Sequence, residues 1–128
     1  KKINGNEPLT GDPTRVLGRV HKGRSGYRDI YINQIGYSIN QGDAPYSYPK
    51  GTVVVKEQFA DETAWLAQQP TDLTIMVKLA DDGKGDAKNW GFVSGYSGEV
   101  SDSAFCLGCH NIAKSKDFIF TNKELLVH

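Results

Sequence analysis

Residues 52–59 read TVVVKEQF, and the conformation of this stretch decides what kind of domain the chain can build. Three valines after a threonine crowd a helix but pack well on a pleated surface, so the stretch reads as a strand buried on at least one side. Working outward, YRDIYIN (27–33) alternates, with Tyr27, Asp29 and Tyr31 on one face and Arg28, Ile30 and Ile32 on the other. LTIMVKLA (73–80) and NWGFVSGY (89–96) read as two more strands, joined by the turn-rich DDGKGDAK. QGDAPYSYPKG (41–51) reads as a loop, and Asp61 can cap a short helix over 61–67 that Pro70 prevents from continuing. Residues 1–14, polar and without periodicity, read as an extended or mobile arm. A late helix capped by Asp102 or Ser103 carries AFCLGCHNIAK, and KELLV reads as a short terminal helix. The sum is an α+β domain, mainly an antiparallel β-sheet of four or five strands with a C-terminal helix packed on it. Residues 1–26 form a polar N-terminal arm and first strand, and 27–128 a single domain.

A chain of 128 residues suits one such domain. Lys plus Arg equals Asp plus Glu at 15 each, so no bulk field draws it to nucleic acid or an anionic membrane. No apolar run approaches the roughly 20 residues that span a bilayer, and Lys1-Lys2-Ile3 does not lead into a signal-peptide core. The expectation is a soluble chain whose export signal has been removed. Apolar residues make up 38% of the sequence, so a core of peptide alone would be thin. A large apolar cofactor would add surface to be buried on folding.

Both cysteines lie in FCLGCHN (105–111), which excludes a disulfide scaffold. On a helix, positions i, i+3 and i+4 share a face, so Cys106, Cys109 and His110 point the same way. Covalent haem needs this spacing: two thiols add to the two vinyl groups and the adjacent imidazole reaches the iron. A thioredoxin-type dithiol would want a βαβ setting, which is absent, and a zinc site would need further ligands, of which only His21 and His128 are histidines. The reading is one covalently attached haem c with His110 as iron ligand. The attachment chemistry implies a periplasmic or other extracytoplasmic compartment.

What sits on the opposite face of the iron is left open by the sequence. Met76 lies mid-strand, where methionine commonly fills a core; His21 sits in a Gly-rich turn and His128 is the last residue. No Met follows His110, so an open or weakly held distal position is favoured, and an open ferrous haem binds small molecules such as NO or CO.

Taken in order, RDIYIN (28–33), GTVVVKEQF (51–59), a VK strand (77–78), NWGFVSGY (89–96) and CLGCHNIAKSKDFIFT (106–121) resemble the cytochrome P-460 family, which includes hydroxylamine-oxidising cytochromes P-460 and gas-binding cytochromes c′-beta. The resemblance implies a largely antiparallel β fold, a five-coordinate haem with a proximal His, and a homodimer or a heterodimer with a related subunit. In the P-460 branch a lysine of the GTVxVKE stretch is bonded to the porphyrin edge, and Lys56 occupies that place; Lys78 is a lysine in a similar setting that the resemblance does not single out. Deprotonation would make the Lys56 amine a nucleophile, which an apolar wall favours; otherwise Lys56 ends an edge strand with its ammonium in water. Arg28 falls where the family has an arginine, suited to a propionate or a polar distal ligand.

Hydroxylamine oxidation requires a base, for which Glu99 and Asp102 are the nearest carboxylates before the haem helix; the residue preceding Cys106 is Phe105, not an acid. Phe59, Phe92 and Trp90 belong to strands expected to face the haem, and phenyl rings over the distal side would disfavour polar ligands relative to apolar gases. Three functions compete: a protein that binds NO for detoxification, buffering or sensing; an oxidoreductase of P-460 type passing electrons from hydroxylamine to a partner cytochrome; and a six-coordinate electron-transfer cytochrome.

Overall fold

A computed structural model describes residues 2–5, 27–81, 89–95 and 104–120. Five strands form one sheet in the order of the sequence, every neighbouring pair antiparallel. They are β1 (Lys2–Gly5), β2 (Arg28–Ile32), β3 (Val53–Gln58), β4 (Asp72–Lys78) and β5 (Trp90–Ser94). The valine run is therefore the centre of a meander, and the α+β reading holds. Part of the N-terminal arm is no loose tail, since β1 pairs along β2 and fills the sheet edge.

Side chains alternate across a pleated sheet, and directly opposed residues share a face. The register aligns Ile30 with Lys56 and Thr74, Ile32 with Val54 and Met76, Met76 with Phe92, and Lys78 with Trp90. This face carries the core: Ile30, Ile32, Val54, Met76, Trp90 and Phe92 join Tyr46, Tyr48, Phe118 and Ile119 in one cluster. Arg28, Ile30 and Ile32 lie on it together, as their alternation predicts.

Among the described residues the helices are α1 (Gln34–Gln41), α2 (Glu62–Leu66) and α3 (Ala104–His110), the last continuing as a 3₁₀ segment, Asn111–Lys116. The sequence reading had no element at α1. Its start is nonetheless well made, because the Asn33 side chain caps Gly36 N and also accepts from Val53 N at 3.1 Å, tying the helix to β3. Gly36 lets it close on the sheet: a Cβ there would stand 2.5 Å from Thr52 Cγ2 and 2.8 Å from Ile32 Cδ1. Asp61 caps α2 as expected, accepting from Ala64 N at 2.8 Å. Trp65 of that helix reaches the fully buried Asp29, whose carboxylate also takes a 2.7 Å ion pair from Lys2. Asp102, Ser103 and the KELLV stretch lie outside the described residues.

Candidate functional site

The 3.6-residue repeat of α3 puts Cys106, Cys109 and His110 on one side of the helix, and Cys106 and Leu107 pack against the sheet's core cluster. Neither cysteine is in a disulfide, and both are only partly buried. The chain then folds back sharply. Asp117 and Phe118 both take positive φ, 49° and 65°, and this left-handed turn returns the Phe118 carbonyl to within 2.7 Å of His110 Nδ1. A carbonyl only accepts, so Nδ1 carries the proton and Nε2 keeps its lone pair. Phe92 and Phe120 flank the imidazole, their ring centroids 5.4 and 5.2 Å away.

Burial pushes His110 down to about 4; the Phe118 carbonyl opposes that fall and the charge of Lys56 adds to it. The imidazole is neutral at physiological pH, the form a metal requires. Lys56 stands on the same sheet face, in the middle of the central strand and not at an edge. Burial pushes its ammonium down to about 7, the Arg28 guanidinium adds to the fall, and Asp72 and Cys106 oppose it. The amine is thus electrostatically coupled to both Cys106 and His110.

These residues fit a haem. Two thiols and a pre-oriented imidazole lie on one helix face, the imidazole's outer nitrogen is already satisfied by a backbone carbonyl, and aromatic rings hold it in place. Among the described residues no three His, Cys, Asp or Glu side chains gather to hold a metal ion without such a macrocycle.

The other predicted residues divide. Arg28 is buried on the Lys56 face opposite Gln58. Met76 is a buried member of the core between Val54 and Phe92. Phe92 lies beside the imidazole, because β5 presents it to α3. Phe59 is fully buried, but it follows the end of β3 and is not part of the cluster that receives Cys106. Trp90 is also fully buried, and its indole donates to Asp117. Glu99, His21 and His128 lie outside the described residues.

Lys78, taken as comparable with Lys56, is not: it is 3% exposed and bonded to Asp117 at 2.7 Å through both carboxylate oxygens. Sequence reasoning missed Asp117 and the Phe118 carbonyl. The one local signal was KSKDFIF, where an Asp follows a short helical run and can adopt the left-handed cap.

No helix among the described residues is long and apolar enough to cross a membrane. No curated protein matches the chain. The profile of the cytochrome P460 family, by contrast, matches residues 13–121, which takes in strands β2 to β5, Lys56 and the whole CxxCH helix, and the chain belongs to that haem-binding family.

Proposed function

We propose that this is an extracytoplasmic c-type haem protein whose iron is held by His110 on one side and left open on the other, and that it binds NO or a related small ligand. The observation that carries this reading is the 2.7 Å bond from His110 Nδ1 to the Phe118 carbonyl, which leaves Nε2 as the coordinating nitrogen. Cys106 and Cys109 supply the thioether bonds. Bound haem supplies an iron that accepts a diatomic ligand and exchanges electrons. The chain orients the imidazole beside Phe92 and Phe120, keeps it neutral, and would offer a bound haem the apolar cluster against which Cys106 packs. Met76 acts as core, packed between Val54 and Phe92. The test is a CO and NO titration of the dithionite-reduced protein followed optically. The expected result is a high-spin ferrous spectrum that shifts promptly with either gas; a low-spin spectrum insensitive to both would overturn the reading.

A second reading is favoured by Lys56. An amine lowered to about 7 and coupled to Cys106 is substantially neutral at physiological pH and nucleophilic. In this reading Lys56 is bonded to the macrocycle, the protein oxidises hydroxylamine, and Arg28 and Glu99 serve the distal side as cation and base. A ferrous Soret band displaced far to the red, lost in Lys56→Ala, supports it. An unchanged spectrum in Lys56→Ala, with a mass differing only by the substitution, refutes it.

A further inference from the structure

Asp117 is 5% exposed and Lys78 3%. Lys78 Nζ donates to both carboxylate oxygens at 2.7 Å. Two more donors complete the carboxylate's shell: Trp90 Nε1 to Oδ1 at 3.2 Å and the Tyr48 backbone N–H to Oδ2 at 2.8 Å. The Lys78 ammonium also lies 4.9 Å from the centroid of the Trp90 ring, and Tyr48 receives an amide hydrogen from Asn40 at 3.1 Å. One buried carboxylate therefore joins the loop after α1, β4 and β5 to the residue that opens the left-handed turn.

That expenditure of charge needs a reason, because an apolar group packs the same volume without desolvating two ions. The next residue gives one. Phe118 N donates to Ala113 O at 2.9 Å, and its carbonyl meets His110 Nδ1 at 2.7 Å. Two consecutive non-glycine residues at positive φ do not hold that conformation unaided. The fixed carboxylate of Asp117 holds the first of them.

The geometry points to Lys78 and Asp117 as a buried positioning pair that locks the 117–118 turn and so aims the Phe118 carbonyl at the proximal imidazole of the haem iron. The inference rests on His110 being that ligand. A firm Nδ1–H to carbonyl bond raises the basicity of Nε2, strengthens its bond to iron and favours the ferric state. Releasing the turn would weaken the iron–histidine bond and raise the midpoint potential.

The experiment is resonance Raman spectroscopy of the ferrous holoprotein together with potentiometry, on wild type, Asp117→Asn, Lys78→Arg and the control Asp29→Asn. Asp29 is a fully buried carboxylate on the other face of the sheet, paired with the exposed Lys2, so it reports loss of a buried charge without touching the turn. The expected result is a lower or broadened iron–histidine stretching band and a raised potential in Asp117→Asn, a smaller change of the same sign in Lys78→Arg, and neither in Asp29→Asn. If Asp117→Asn does not accumulate folded, Lys78→Arg decides alone, since it keeps the charge and alters only its reach. An unmoved band and potential in the folded variants, or equal changes in the control, overturn the inference. Absence of an iron–histidine band in wild type overturns instead the five-coordinate, His110-ligated reading beneath it.

Discussion

Loss of solvent makes a tyrosine hold its proton beyond the ordinary range, as the buried Tyr48 and the half-buried Tyr31 do. Burial pushes Tyr48 up to about 12, against the hydrogen bond from Asn40, which acts the other way. Tyr31 also rises to about 12, by burial first and then by the charges of Asp29 and Glu57. Folded protein thus binds more protons than unfolded chain between pH 10 and 12, so stability falls as pH rises through that window. Alkaline titration of tyrosinate absorbance should show two late groups, one disappearing in Tyr48→Phe and the other in Tyr31→Phe. Lys56 works with the opposite slope: its pKa is depressed to about 7, so the folded state binds fewer protons than the unfolded and stability rises with pH from about 7 to 10.5. Lys56→Met should flatten that rise in a pH series of urea denaturation midpoints. At this scale the sequence was legible wherever spacing alone fixes placement, as in Cys106, Cys109 and His110, which share one helix face. It was silent on Asp117, whose partners Lys78, Trp90 and Tyr48 lie 39, 27 and 69 residues away.

Elements are set by local pattern, and β2 to β5 were readable because each is β-branched or alternating, whereas β1, KING, carries neither signal. Helix α1 was not readable either, since QIGYSINQ holds a glycine and β-branched residues that lower helix propensity. Tertiary fit overrides propensity there, through the Asn33 cap and the close approach at Gly36. Gly36→Ala gains helix propensity yet inserts a methyl 2.5 Å from Thr52 Cγ2, a short β-branched side chain that cannot swing aside. The expected net loss is about 1–3 kcal/mol by denaturant unfolding. At α2 the loss of a cap is the simpler case: Asp61→Ala leaves Ala64 N without its acceptor and should cost about 1 kcal/mol.

Across the whole molecule, one sheet face unites core, ion pair and candidate haem site, so stability and cofactor geometry share residues. Lys78→Met strands the Asp117 carboxylate among buried groups and should cost about 3–5 kcal/mol, a large share of a small domain's stability. Adding Asp117→Asn should recover part of that loss, because the charge is gone while an acceptor remains for Tyr48 N or Trp90 Nε1. The general architecture could be read in advance because an antiparallel meander follows sequence order. The pairing that aims His110 could not, because it closes between the end of β4 and a turn beyond α3.

The central claim is that Cys106 and Cys109 tether haem beneath His110. Its most direct test is a denaturing intact-mass measurement on holoprotein treated with a thiol alkylating agent. The account predicts a mass equal to the chain plus one haem, with neither cysteine alkylated. A haem-free mass bearing two alkylated thiols would contradict it.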